Sequence, residues 1–368
     1  MELPTLKIGD LIANIPIVQG GMGVGVSLSS LASSVAKEGG IGVIATIMIG
    51  MNDFKQFATP EEADMHALRE EIRKAREKTD GILGVNIMVA ASNYANLVRT
   101  AIEEKIDIIF AGAGLPLDLP KYLDDASHHP KLAPIVSSGR AAVLLCKKWL
   151  AKFNRVPDAF VVEGPMAGGH LGLKLKQLDD PDFALEKLVP EVLKALKPFE
   201  EKCQTSIPVI AAGGVYTGGD IDKFLQLGAA GVQMGTRFVA TEECDADIAF
   251  KQAYVDAKED DIVIIKSPVG LPGRAIRNAF LNEVEHGKKI PYACPYQCIT
   301  TCDYQNSPYC IAVALMNAKK GRLQHGFSFS GKNAFRVDRI IKVKELIASL
   351  KEEFAEAVNQ RLAVAPAE

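Results

Sequence analysis

The sequence predicts an α/β protein of the TIM type, a (β/α)8 barrel carrying a smaller C-terminal cap and a terminal helix. Two observations predict it: eight short apolar runs bounded by glycine lie in the first two thirds of the 368 residues, and glycine-rich segments directly follow several of them. The runs are Ile15 to Gln19, Ile41 to Thr46, Ile82 to Met88, Ile106 to Ala111, Ala133 to Ser137, Ala159 to Glu163, Pro208 to Ala212 and Gly231 to Met234. They are nearly continuous rather than alternating in polarity, so they read as strands covered on both faces, and the stretches between them are long enough for helical crossovers. Eight such strands close a barrel.

Helix signals occupy the crossovers. Thr59-Pro60-Glu61-Glu62 offers an N-cap, a proline at the first helical position and a capping-box glutamate, after which charged helix formers run on to Gly81. Asp180-Pro181 opens another helix before the apolar spacing of Leu185, Leu188, Val192 and Leu196, with Pro190 placed to shorten or kink it. Past about Asp261 the pattern changes to Ser267-Pro268, Leu271-Pro272-Gly273, a cysteine-rich stretch and Phe327 to Gly331, none of which reads as a further βα unit. The tail regains a helical period, with Val343, Leu346, Ile347, Leu350, Phe354 and Val358 on one stripe. The division that follows is a barrel over residues 1–260, a cap or lid over 261–340, and a terminal helix over 341–368 that packs back on the barrel.

Composition narrows the function. Forty-two basic against 45 acidic residues give a net charge of -3 with no long block of either sign, so the footprint of a nucleic-acid binder is absent. The longest apolar run, Ile41 to Met51, is far short of the roughly 20 residues that span a bilayer, and the charged stretch from Met1 to Asp10 does not resemble a targeting signal. A cytoplasmic protein acting on a small-molecule or acyl-type substrate is expected, and self-association into a homo-oligomer is compatible with everything above.

In a TIM barrel the active site lies at the C-terminal strand ends, so the residues after each run are the informative ones. The first run leads into Gln19-Gly20-Gly21-Met22-Gly23-Val24-Gly25, the sixth into Glu163-Gly164-Pro165-Met166-Ala167-Gly168-Gly169-His170, the seventh into Gly213-Gly214-Val215, and the eighth into Gln233-Met234-Gly235-Thr236-Arg237. Glycine lets backbone N–H groups approach a ligand closely. The amides of Gly213, Gly214, Gly235 and Thr236 fall where this fold usually holds a phosphate, aided by a helix N-terminus, although glycine-rich turns also occur in barrels that bind none. The Gly20 to Gly25 turn lacks a Rossmann setting and reads better as a platform for a flat ring. Of six histidines only His170 falls in a strand-end motif, where an imidazole either exchanges a proton with substrate or merely braces the loop. No Ser-His-Asp order, H-E-x-x-H helix or Walker lysine is present to support hydrolytic or nucleotide-triphosphate chemistry.

Pro16-Ile17-Val18-Gln19-Gly20-Gly21-Met22-Gly23, Gly84-Val85-Asn86, Glu163-Gly164 through Gly168-Gly169-His170, Ala211-Ala212-Gly213-Gly214 and Gln233-Met234-Gly235-Thr236-Arg237-Phe238 resemble, in order and at barrel spacing, the nitronate monooxygenase family, formerly called 2-nitropropane dioxygenases. The resemblance covers roughly the whole barrel. It implies an oxidoreductase with one non-covalent FMN: the isoalloxazine on Gly21, Met22 and Gly23, Asn86, Glu163, Gly168 and Gly169 near the ring and ribityl chain, and the phosphate held by Gly213, Gly214, Gln233, Met234, Gly235 and Thr236. It also implies that His170 faces the flavin as the proton-transfer residue. The implied reaction is oxidation of alkyl nitronates or a similar carbanionic substrate. Flavin-dependent enoyl-acyl-carrier-protein reductases share the pattern through the Gly-Gly-His motif, so the alternative is an NAD(P)H-dependent reductase of an enoyl thioester or other double bond. A non-redox phosphate-binding barrel, such as an aldolase or synthase, is the reading from another class. Two basic segments, Ser137-Ser138-Gly139-Arg140 and Gly270-Leu271-Pro272-Gly273-Arg274, offer a cation near the substrate, against the more ordinary reading of solvated surface arginines.

Four of seven cysteines crowd between Cys294 and Cys310, which is not how a secreted disulfide framework looks in a long chain. Cys294, Cys298 and Cys302 are spaced four apart, which on a helix would line one stripe, though Pro295 interrupts simple helical geometry; Cys310 follows a Pro308-Tyr309 turn. The set suggests a metal or an iron–sulfur cluster, yet matches neither the zinc C-x2-C pairing nor the common ferredoxin run, and buried cysteines in a small cap are the plainer alternative. A cluster here would favour a reductase over an oxygen-using oxidase.

Overall fold

The computed structural model describes residues 2–124, 126–288, 294 and 296–364. Strands β1 (Leu6–Ile8) and β2 (Leu11–Ala13) form an antiparallel hairpin turning at Gly9. Eight parallel strands follow: β3 (Ile17–Gln19), β4 (Gly42–Ala45), β5 (Leu83–Met88), β6 (Ile108–Gly112), β7 (Lys131–Val136), β8 (Phe160–Glu163), then, after the two-residue β9 (Gly169–His170), β10 (Val209–Ala212) and β11 (Gly231–Met234). Their order is β3-β11-β10-β8-β7-β6-β5-β4. A parallel bridge between Val18 and Ile41 joins β3 to β4, so the sheet closes on itself. All eight apolar runs of the sequence became barrel strands.

The reason for their uninterrupted hydrophobicity is visible in the packing. Val18, Val43, Ile108, Phe110, Val161 and Ile210 point into the barrel, where Leu6 and Ile8 of the hairpin join them and fill its N-terminal end. Their neighbours Ile17, Ile44, Ile109, Phe160 and Val209 point outward beneath the helices. Both pleat faces lie out of water, so neither tolerates polar residues. Because the hairpin fills one end, the C-terminal strand ends are left for a ligand. The hairpin carried no clear signal in its short, charged sequence.

The crossover helices are α1 (Ser29–Lys37), α2 (Pro60–Arg76), α3 (Tyr94–Glu103), α4 (Gly139–Phe153), α5 (Leu185–Cys203) and α6 (Gly218–Gln226). Thr59 caps α2 by accepting the Glu62 N–H at 3.1 Å. Asp180-Pro181 instead opens a separate single turn at Pro181–Phe183, and α5 begins after it and runs through both Pro190 and Pro198. Burial of Leu185, Leu188, Val192 and Leu196 keeps that helix in place despite the missing amides.

After β11 the chain forms α7 (Thr236–Val239) and α8 (Ile248–Asp256), then a hairpin that the sequence did not announce, β12 (Ile262–Lys266) and β13 (Pro272–Ile276). β9 adds to it as a third antiparallel strand, with His170 opposite Gly273. Helices α9 (Ala279–Glu285) and α10 (Ile311–Lys319) enclose a small separate core of Phe280, Tyr309, Ile311, Ala314 and Phe327. The final helix, α11 (Val343–Val364), buries the stripe from Val343 to Val358. It packs so closely on α6 that a Cβ at Gly218 would sit 2.2 Å from the Phe354 nitrogen. Residues 365–368 of the tail, like Met1 and Pro295, lie outside the described residues. Among those residues no helix is long and apolar enough to cross a membrane.

Candidate functional site

The glycine-rich strand ends surround one cavity of about 760 Å3. His170 and all the residues expected to contact a flavin, from Gly21 to Thr236, line it, whereas Gly25, Gly164 and Pro165 of the same strand-end segments do not. Close backbone packing explains several of the glycines. A Cβ at Gly21 would lie 2.3 Å from the Asn86 Cβ, and one at Gly168 2.6 Å from the Gly331 nitrogen. Gly213 and Gly214 have φ of +86° and +110°, which only glycine adopts without strain. Gly235 differs: its nearest neighbour would be the Met22 sulfur at 3.8 Å, so its missing side chain leaves space in the cavity rather than room for the chain. The non-glycine residues Val24, Met48 and Ala113, with φ of +56°, +57° and +52°, also line this cavity. Strained backbone gathered at one cleft is typical of sites held for function.

His170 is fixed from the cap. Its Nε2 shares a 2.7 Å hydrogen bond with the Ser267 hydroxyl, and its ring meets Phe329 edge-on at 5.0 Å. Phe329 in turn contacts Phe327 of the cap core at 5.2 Å, so the imidazole is the end of an aromatic chain running into that core. Burial lowers its pKa to about 4, so the ring is neutral at ordinary pH. Glu163, at the end of β8, has the opposite problem: burial of its carboxyl raises its pKa to about 7, so it holds a proton over much of the neutral range.

Several lining residues were not visible from the sequence. Phe329, Ser330, Gly331, Lys332 and Asn333 form one wall beside Gly213 and Thr236. Asn333 Nδ2 donates to the Gly214 carbonyl at 2.8 Å, fixing that turn. Lys332 is exposed and is the one lysine or arginine lining the cavity among the described residues. Ser330 Oγ is buried without a hydrogen-bond partner, a polar group waiting for one. α7 is only four residues long, so backbone amides rather than a substantial helix dipole supply what polarity its start offers.

The arginines go elsewhere. Arg237 turns away to pair with Glu353 of α11 at 2.9 Å, and Arg140 is exposed. Arg274 is buried, not solvated: its guanidinium donates to the Pro165 carbonyl at 2.8 Å and to that of Ala167, pinning the loop that leads to His170.

The cysteine stretch is not a helix. Residues 296–302 run as a loop in which Ile299 bridges Ala91, and the Ser92 N–H donates to the Cys298 carbonyl at 3.2 Å. The periodicity of four gave way to this pairing with the loop after β5. Cys294, Cys298, Cys302 and Cys310 nonetheless line one second cavity, none in a disulfide. Among the described residues no three of His, Cys, Asp and Glu group around a single ion position.

Comparison with known proteins places this architecture among oxidoreductases. A profile of the nitronate monooxygenase family matches residues 5–353. A Mycobacterium tuberculosis protein named as a (3aS,4S,5R,7aS)-5-hydroxy-7a-methyl-1-oxo-octahydro-1H-indene-4-carboxyl-CoA dehydrogenase is 30% identical over 274 residues, 74% of this chain; the match spans 66% of that protein's length. A probable nitronate monooxygenase of Bacillus subtilis is 28% identical over 313 residues, covering 77% of this chain and 82% of that one. Among solved structures, FabK from Thermotoga maritima superposes with a TM-score of 0.72 at 29% identity, covering 95% of this chain and 96% of that one.

Proposed function

Because the chain belongs to the nitronate monooxygenase family and is an oxidoreductase of that family, we propose that it binds FMN and oxidises alkyl nitronates or a similar carbanionic substrate. The observation that carries this reading is the single cavity joining the glycine-lined phosphate end to a neutral imidazole. The residues present fit FMN. The amides of Gly213, Gly214, Gly235 and Thr236, with exposed Lys332, suit its phosphate; the partnerless Ser330 hydroxyl suits a polar oxygen of the ligand; and the space left by Gly235 suits its bulk. The Gly21-Met22-Gly23 turn and Asn86 are the floor for the ring. FMN held by these residues would supply the redox chemistry.

His170 and Glu163 manage protons. Ser267 engages Nε2 of His170 and fixes the ring, which leaves Nδ1 to exchange a proton or a hydrogen bond with the substrate. Burial raises the Glu163 carboxyl to about 7, so its protonated form, which grows as pH falls below that value, can donate where an ionised carboxylate would repel an anion.

A second reading, an NAD(P)H-dependent reductase of an enoyl thioester or another double bond, is favoured by the 29% identity to FabK over almost the whole chain and by the relative whose name specifies a carboxyl-CoA. Anaerobic titration of the bound flavin separates them. The first reading expects bleaching by nitronate and indifference to pyridine nucleotide; rapid bleaching by NADH or NADPH transfers the assignment to the second. Protein that releases no FMN on denaturation overturns both.

The charge at the phosphate end gives a smaller prediction. Lys332→Ala is expected to raise the FMN dissociation constant only severalfold, since an exposed ion pair contributes ~0.2–1 kcal/mol, and the loss should shrink as salt is added. Fluorescence titration of the apoprotein with FMN measures both.

A further inference from the structure

The second cavity lies in the cap and has a volume of about 440 Å3. Its wall carries Cys294, Cys298, Cys302 and Cys310, and no acidic or basic side chain lines it among the described residues. We propose that these four cysteines bind a four-iron, four-sulfur cluster. Such a cluster takes four thiolates, one on each iron, so its ligands stand at the corners of a tetrahedron much wider than that around a single ion. A single zinc ion would need them within roughly 3.8 Å of one another, as a tetrahedron of 2.3 Å bonds requires. The thiols here line a cavity, and among the described residues no three ligating side chains group around one ion position.

The backbone is arranged toward the sulfurs. The Gln297 N–H donates to Cys294 Sγ at 3.3 Å, and the turn that aims it puts Gln297 in the left-handed region at φ +42°. Cys310 is the N-cap of the nine-residue α10, so its thiol stands at the amide end of that helix, without a side-chain cap hydrogen bond. Amides directed at sulfur stabilise thiolate charge, and hydrogen bonds of this kind tune iron–sulfur centres. The cavity is braced on both sides, because the Cys298 to Cys302 loop is tied to the barrel by the Ile299–Ala91 bridge and by the Thr300 N–H donating to the Ala90 carbonyl at 3.1 Å, while α10 carries Cys310.

The position is as informative as the ligand set. Cys298, Ile299 and Ile311 line this cavity and also the larger one at the barrel mouth, so a one-electron centre would share a wall with the proposed flavin pocket and would favour the reductase reading over the oxidase. The ligand assignment stands apart from the flavin assignment, because iron and sulfide are counted whether or not flavin is bound.

The test is to purify the full chain without oxygen, reconstitute it with equal amounts of ferrous and ferric iron and with sulfide, and assay both elements per chain. About four iron and four sulfide are expected, with a broad visible absorbance bleached by dithionite and a paramagnetic signal in the reduced protein distinct from any flavin radical. Cys302→Ser and Cys310→Ser should each lower the iron content at least twofold, whereas Cys146→Ser, at a buried thiol elsewhere, should leave it unchanged. Fewer than one iron per chain after reconstitution, zinc in place of iron, or iron that survives both substitutions in chains with wild-type circular dichroism would overturn the proposal.

Discussion

His170→Ala is expected to lower kcat/KM by roughly 10²–10⁴ while FMN remains bound, the range for losing a positioned proton-transfer group. The imidazole reaches the cavity from β9, where it is added to the cap hairpin, whereas the proposed phosphate grip is built from β10, β11 and the Lys332 wall. Flavin content and turnover are therefore separable. Because burial holds the ring at about 4, wild-type rates should show no histidine titration near 6.5; the loss due to His170 should come as pH drops toward 4, and that due to Glu163 as pH rises through about 7. The same shift has a stability consequence. Between 6.5 and about 4 the unfolded chain binds a proton at this position that the folded chain refuses, so stability falls as pH falls through that window, and His170→Ala should lessen the fall. Steady-state rates, released flavin and urea melts at pH 4.5 and 7 check all three statements; full activity in the variant would remove His170 from the mechanism.

Gly235→Val is expected to abolish flavin retention without unfolding the protein. At this position φ is -115° and ψ is -55°, which a β-branched residue can adopt, and the only chain atom near its Cβ is the Met22 sulfur at 3.8 Å. The new side chain therefore occupies ligand space. We expect FMN to bind at least ~100-fold more weakly, a loss of ~2.7 kcal/mol, with apoprotein stability within about 1 kcal/mol of wild type. Gly168→Val is the contrast: its Cβ would collide with the Gly331 nitrogen and the Ser330 carbonyl, so it should lower the melting temperature as well as flavin content. A Gly235→Val protein that is yellow as purified would refute the placement of the phosphate end.

The eight strands were legible because barrel burial on both faces is written into consecutive residues: Phe160, Val161 and Val162 must all be apolar to stand between a packed interior and a helix layer. The glycines of the mouth were legible for a similar reason, since the absence of a side chain at Gly168 or Gly214 is a property of one residue. The spacing of the cysteine stretch leaves its structure open, with Pro295 standing against a helix, and tertiary pairing decides it. The four-residue spacing of Cys294, Cys298 and Cys302 suits a helix, but Ile299 pairs with Ala91 instead and draws the stretch into a loop.

The sequence by itself determined the barrel, its number of strands, the glycine-lined mouth and the family. Only the tertiary structure decided that Ser267 orients His170 across 97 residues of chain, that Phe329 seats its ring, that Lys332 and Ser330 stand beside the Gly213 turn, and that four thiols share a cavity adjoining the one at the barrel mouth. The division has a physical origin. Hydrophobicity and backbone freedom belong to individual residues and repeat with local geometry, whereas these contacts exist only once distant segments have been folded against each other.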